Sequence, residues 1–268
     1  MSAVSERLRT LQRQIGRAAA SDAAGNTVRC DLRRLLDLRT RATTRRLAAP
    51  AGIEIADGLR LVEWRRPSQT SRIVALPWGE TGEVERERLV CFDTETTGLA
   101  GGVGTRAFMI GSAQWRDGEL VVRQLYLTAL GGEEEMLRCF SAGLPADAIF
   151  VSYNGRSYDA PLLKGRYRLH RQAHPFDDRG HVDLLYPVRR AYRGVWENCR
   201  LQTIERQLLG IVREDDLPGH EAPAAWLAYL RGQSSTNLGR VLDHNRQDVV
   251  TLAILFDRLA AAIRPLRP

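Results

Sequence analysis

Apolar and polar positions set two textures along this chain. Near the N-terminus, Val4, Leu8, Leu11 and Ile15 fall on one face of a helix, with Arg7, Arg9, Arg13 and Arg17 around its other sides. A second basic helical stretch runs from Asp31 to Leu47, with Leu32, Leu35, Leu36 and Leu38 among arginines, and Pro50-Ala51-Gly52 breaks it. Ile53 to Trp64 then alternates loosely about Asp57-Gly58, which predicts a small hairpin. From Glu87 the texture is α/β. Leu89–Phe92 reads as a short buried strand, and Phe108–Trp115 and Leu120–Leu127 as a hairpin about Asp117-Gly118. Gly131-Gly132 precedes a helix over Glu133–Phe140, whose three leading glutamates suit the helix dipole and a structural role.

The pattern continues with a second buried strand over Ala148–Tyr153 and a helix entered at Tyr158-Asp159-Ala160-Pro161, with proline in its first turn. His181–Leu185 begins another apolar segment. Leu201–Leu209 is an amphipathic helix stopped at Gly210. Residues 213–236 read as a loop with a short helix at Trp226–Leu230, and a last helix spans Leu238–Ile263. Two regions follow: a basic N-terminal extension over 1–80, of helices and a small hairpin, and one α/β domain over 85–268.

Composition adds three constraints. With 268 residues and 44% hydrophobic content, the chain can bury a substantial core without disulfides or a structural metal. Cys30, Cys91, Cys139 and Cys199 form no Cys-x-x-Cys pair, and Cys91 lies inside an apolar strand, which fits reduced thiols in a cytoplasmic protein. No apolar leader follows Met1 and no run nears 18 apolar residues, so neither a signal peptide nor a membrane span is expected. The net charge is +7, with Lys164 the only lysine. Guanidinium forks suit phosphate oxygens, so a polyanionic partner is expected. The arginines before residue 80 could track a phosphate backbone, dock a partner or form a solvated helix face.

The candidate chemistry starts where the Leu89–Phe92 strand ends. Side chains alternate along a strand, so Asp93 and Glu95 point the same way. Like charges so placed raise one another's pKa, and a hard divalent cation between them removes the cost. Taken singly, each acid has a plainer reading: Asp93 and Glu95 a solvated acidic turn, Asp159 a helix N-cap, His244 and Asp248 a buried pair one helical turn apart. Together, Asp93 with Glu95, Asp159, and Asp248 come from three separate elements, as a two-metal phosphoryl-transfer site requires. The Gly98–Thr105 loop lacks the Gly-Lys-Ser/Thr ending of a phosphate loop and reads as a flexible border of the site.

In order and context these segments resemble the DEDD superfamily of 3′–5′ exonucleases on the ribonuclease H fold. Asp93-Thr94-Glu95-Thr96-Thr97-Gly98 is similar to the first motif, Asn154-Gly155-Arg156-Ser157-Tyr158-Asp159 to the second and His244-Asn245-Arg246-Gln247-Asp248 to the third. More narrowly, Gly101–Thr105, Tyr153-Asn154-Gly155, Asp216-Leu217-Pro218-Gly219 and His244-Asn245 resemble the YprB-like (mitomycin repair factor B) branch. The resemblance covers residues 87–260.

It implies an α/β fold, a mixed five-stranded sheet with helices on both faces, a leading antiparallel meander and the Asp93 strand at its centre. It implies two divalent ions, Mg²⁺ or Mn²⁺, held by Asp93, Glu95, Asp159 and Asp248, with Asp93 bridging both. Thr94, Thr96, Asn154 and Tyr158 would contact the terminal nucleotide. The implied activity is 3′–5′ exonucleolytic hydrolysis of nucleic acid, DNA favoured over RNA, in a DNA-repair setting beside a helicase. A structure-selective endonuclease, an RNA exonuclease and a non-catalytic nucleic-acid-binding adaptor are the alternatives. The superfamily's third motif has histidine with four residues before the aspartate, or tyrosine with three; here His244 has three. The branch resemblance implies that His244 takes the water's proton, and the spacing also leaves it a substrate-positioning role. His181 and Asp183, near a further family position, are expected to be structural.

Overall fold

The computed structural model describes residues 48–76, 82–98 and 104–263. The two basic helices expected before residue 48 and most of the glycine-rich loop lie outside these. All described residues belong to one compact unit, Leu47–Pro268.

The strands are β1 (Ile53–Ala56), β2 (Leu59–Pro67), β3 (Ile73–Ala75), β4 (Glu83–Glu85), β5 (Leu89–Thr96), β6 (Ala107–Arg116), β7 (Glu119–Leu127), β8 (Ile149–Ser152) and β9 (His181–Asp183). The helices are α1 (Glu133–Ala142), α2 (Asp159–Leu169), α3 (Leu185–Tyr192), α4 (Leu201–Ile204), α5 (Ala222–Leu230) and α6 (Thr236–Ile263). Seven strands form one mixed sheet in the order β1-β2-β7-β6-β5-β8-β9, and β3 pairs with β4 apart from it. β5, β6 and β7 are the antiparallel meander, and β8 joins β5 in parallel. Asp117 and Gly118 both have positive φ, as the tight β6–β7 turn requires.

The expected hairpin at Ile53 is present, but it extends the sheet. β2 pairs with β7 along its whole length, from Leu59 against Leu127 to Pro67 against Glu119. The sheet therefore has seven strands where five were expected, and residues 53–67 join the α/β fold instead of a separate extension. Among the strand residues of this hairpin only Leu59 is buried, so its pattern carries little of the signal of a core strand.

Alternation along β5 divides the core. Val90 and Phe92 enter one cluster with Phe108, Phe140, Phe150, Phe176 and Trp226, beneath α1, α2 and α5. Leu89 and Cys91 enter the other with Ile149, Val151, Val188, Ile204 and Phe256, beneath α3, α4 and α6. Helix α6 serves both: Leu238, Val241 and Leu242 pack in the first cluster, and Val249 through Ala260 supply the second. Residues 244–248 lie between these two sets.

Two helices depart from expectation. After four residues, α4 continues as a π-turn, Glu205–Leu209, before Gly210 ends it at φ 67°. α5 begins four residues before Trp226, with Pro223 in its first turn, where the missing N–H costs nothing.

Of the three leading glutamates of α1, Glu133 is only 1% exposed. Its carboxylate takes two 2.6 Å bonds from the Arg166 guanidinium and lies 3.1 Å from both Arg106 Nε and His170 Nε2. Burial pushes this carboxyl up, but the hydrogen bonds from Arg166 and His170 and the nearby guanidinium charges outweigh that and hold it below the usual range. The cluster ties α1 to α2, whose first residue is Asp159.

Candidate active site

Strand β5 delivers Asp93 and Glu95 to the face of the sheet that α6 crosses, while Thr94 points to the α2 side. The Thr94 hydroxyl donates to Asp159 Oδ1. Asp159 is the first residue of α2 and Tyr158 stands at the N-cap position, so the N-cap reading does not hold. Asp248 and His244 stand one turn apart on α6, with His244 Nε2 3.4 Å from Asp248 Oδ2. The fold thus brings together all four acids expected from the sequence, and the histidine.

Their electrostatics are those of crowded, buried carboxylates. Asp93 is pushed well above the ordinary range by burial and by the charges of Asp248, Asp159 and Glu95. Glu95 is pushed the same way by burial and by Asp248, Asp159 and Asp216. Burial raises Asp159 to about 6 against the hydrogen bond from Thr94. Asp248 is also raised by burial, despite the opposing charges of Arg213 and His244.

Each acid but one has a donor. Asn245 Nδ2 donates to Asp93 Oδ2 at 3.0 Å, Thr94 to Asp159, and Arg213 to Asp248. Glu95, 7% exposed, accepts no hydrogen bond and joins no ion pair among the described residues. One ligand atom each of Glu95, His244 and Asp248 lies within 4.8 Å of the others. Four crowded, buried carboxylates with raised pKa values, with an imidazole beside two of them, suit a hard divalent cation. The residues present fit that group.

Metal-free protein should record the repulsion. A carboxylate whose folded pKa is raised costs stability in full above that pKa, and the cost fades as pH falls from there toward the unfolded carboxylate value. Asp93→Asn removes one charge and keeps the shape. In EDTA it should melt above the native protein at about pH 7.5 by roughly 2–4 °C or more for each kcal/mol relieved. That margin should shrink toward about pH 5, which scanning calorimetry at the two pH values would show.

The four residues expected to touch the terminal nucleotide share one cleft. Thr94, Thr96, Asn154 and Tyr158 line a space of about 220 Å³ together with Asp93 and Asp159. Tyr158 is 60% exposed at its edge. Asn154 adopts φ +67°, and its backbone N–H donates to Asp183 Oδ1 at 2.7 Å. Asp183 also accepts from the N–H groups of Arg156 and Leu185, so it fastens the loop in front of α2. His181 bonds Ser152 at 2.8 Å, and burial lowers its pKa to about 4. Both have the structural roles expected. Thr94 is committed to Asp159, so its hydroxyl orients that acid.

Sequence reasoning assigned no role to four further groups. Asn245 is fully buried, and its Oδ1 accepts from Gln124 Nε2 at 3.1 Å, which fixes the amide that holds Asp93. Gly111, facing Asp93 on β6, makes room for it: a Cβ there would collide with Asn245 Oδ1. Arg213 clamps Glu205 at 2.6 and 2.8 Å and also reaches Asp248. Asp216 Oδ1 lies 2.7 Å from His244 Nδ1. A glycine inside a strand signals close approach, but the partner is more than a hundred residues away. Gly111→Ala should cost about 1–3 kcal/mol by overpacking and release Asn245 from Asp93. Denaturant titration would measure the first effect and the amide shift of Asn245 the second.

These observations connect the chain to known proteins. The pattern of the RNase_H_2 family, RNase_H superfamily, matches residues 90–260, and the chain belongs to that superfamily. Nucleases of the RNase H-like class generally use divalent metal ions. A particular relative is the protein described as "Uncharacterized protein YprB" of Bacillus subtilis (strain 168), 32% identical over 205 residues. The match covers 73% of this chain and 49% of the relative, so the chain spans about half the length of the curated protein it matches. Among solved structures, the family B DNA polymerase from the hyperthermophilic archaeon Pyrobaculum calidifontis aligns over 64% of this chain and 24% of the polymerase, with a TM-score of 0.48 and 15% identity. Among the described residues no helix is long and apolar enough to cross a membrane.

Proposed function

We propose that this chain is a metal-dependent exonuclease that removes nucleotides from the 3′ end of a nucleic acid strand, DNA before RNA. The observation that carries the proposal is the convergence of four buried carboxylates with raised pKa values beside a cleft of about 220 Å³. Asp93, Glu95, Asp159 and Asp248 would hold two divalent ions, Mg²⁺ or Mn²⁺. Bound there, such ions supply charge neutralisation at the scissile phosphate and a more acidic water.

The chain's own residues do the rest. Thr94 and Asn245 fix the Asp159 and Asp93 carboxylates, so neither needs to reorganise when substrate arrives. Thr96 and Asn154 offer polar contacts within the cleft, and the exposed Tyr158 ring offers a base a stacking surface. A cleft this small suits the end of one strand better than the width of a duplex. The arginine-rich composition supports phosphate contacts along the strand, with affinity falling steeply as salt rises. The resemblance to the YprB-like branch supports a DNA-repair setting with a helicase nearby.

The test is cleavage of single-stranded, duplex and 3′-overhang DNA and RNA carrying a label at either end. A 5′-labelled ladder that shortens from its 3′ end supports the exonuclease. A few fixed internal cuts would replace it with a structure-selective endonuclease, and a ladder on RNA alone would replace the substrate.

A further inference from the structure

His244 is built into the acid cluster by both of its ring nitrogens. Nδ1 lies 2.7 Å from Asp216 Oδ1, and an ionised carboxylate can only accept, so Nδ1 carries the proton. Arg213 Nη1 approaches the same nitrogen at 3.3 Å, donor against donor, and its acceptor there is Asp216 Oδ2 at 3.4 Å. In the neutral ring the lone pair is then on Nε2. That nitrogen faces Asp248 Oδ2 at 3.4 Å, and one ligand atom of the buried Glu95 lies within 4.8 Å of the ligand atoms of both residues. A bare lone pair set against carboxylate oxygens is repulsive; a proton on Nε2 or a metal cation between them removes the cost, and only the metal cation also engages Glu95.

Spacing explains why this chain can place it so. With three residues between them, His244 and Asp248 are one helical turn apart and project side by side from α6. A base acting on a water needs an open approach to that water, whereas this imidazole stands against the same carboxylate that would hold an ion.

We propose that His244 Nε2 is itself a metal ligand, joining Glu95 and Asp248 in a mixed nitrogen–oxygen site that takes Mn²⁺ in preference to Mg²⁺, with Asp216 holding the imidazole in the ligating tautomer. Mg²⁺ favours oxygen donors, while imidazole favours transition ions. A carboxylate on the far ring nitrogen is the arrangement that orients ligating histidines. The proposal rests on the metal-dependent reading above, and it replaces the base role expected for His244.

The test uses the full chain and Mn²⁺ alone, read by pulsed electron paramagnetic resonance. Bound Mn²⁺ should show coupling to a ¹⁴N nucleus, and growth with ¹⁵N-histidine should convert it to ¹⁵N coupling, with no substitution needed. In His244→Gln the coupling should vanish and Mn²⁺ affinity fall more than about tenfold, with Mg²⁺ affinity changed less than about threefold. Asp216→Leu, which keeps about the same volume and removes the acceptor, should weaken Mn²⁺ by roughly 10–100-fold. Mn²⁺ bound without histidine nitrogen coupling would overturn the ligand role and leave the carboxylate site standing. Equal Mn²⁺ binding by the native protein and Asp93→Asn would instead overturn the metal-dependent reading itself.

Discussion

Asp93→Asn should lose strand-end cleavage by on the order of a thousand-fold or more, while binding of the same strand persists. Asp93 is the acid on which the charges of all three others converge. Asparagine keeps its size and can still meet the Asn245 amide by turning its oxygen toward it. What it loses is one unit of negative charge at the point where cations would gather. Metal-ion stabilisation of a transition state is worth several kcal/mol, and each 1.36 kcal/mol is about tenfold in rate. Single-turnover cleavage, with binding followed separately by anisotropy, measures both quantities. Loss of binding in parallel with cleavage would make Asp93 a structural residue.

The same substitution should make the metal-free protein more stable near neutral pH, as derived above. A residue that costs stability and carries activity is a common sign of a functional site. The combination separates Asp93 from an acid kept for packing, whose removal would lower both.

Glu133→Ala should cost about 3–5 kcal/mol of stability, the range for removing one partner of a buried ion pair. The side chain is 1% exposed and holds the Arg166 guanidinium by two 2.6 Å bonds. Its pKa is lowered, so its stabilisation is present above the unfolded carboxylate value and lost as pH falls through the folded one. Urea denaturation at neutral pH would measure the cost. Because α1 and Arg166 set the course of α2, surviving activity should also fall through Asp159, in spite of an unaltered acid set. An Arg166→Leu partner change would identify the cause, since losing both charges should cost less than losing Glu133 alone.

Most of what places the site could be read along the chain. Leu89–Phe92 is an unbroken apolar run directly before Asp93, and strand parity alone puts Glu95 beside it. Asp159 follows the second buried strand, and the one-turn spacing of His244 and Asp248 is visible in the last helix. These signals are local. The supports were not legible, because each spans a long stretch of sequence: Asn245 to Asp93, Arg213 to Asp248, Asp216 to His244 and Gln124 to Asn245. Asp216-Leu217-Pro218-Gly219 could be matched to a family, yet nothing in its composition says that its acid meets an imidazole. Asn245 sits within the third motif, but its function depends on a glycine on β6. The place of the β1–β2 hairpin is hidden for a related reason: pairing with β7 is a long-range event, and its half-exposed pattern reads equally well as a free hairpin.

If the four acids make a metal-dependent nuclease, one 5′-labelled single strand incubated with the native protein in Mn²⁺, in Mg²⁺ and in EDTA will show it. Cleavage in the divalent ions, none in EDTA and none in Asp93→Asn is the expected result. Strand binding that is unchanged in EDTA, with no cleavage in either ion, would contradict it and leave a nucleic-acid-binding adaptor on a ribonuclease H fold.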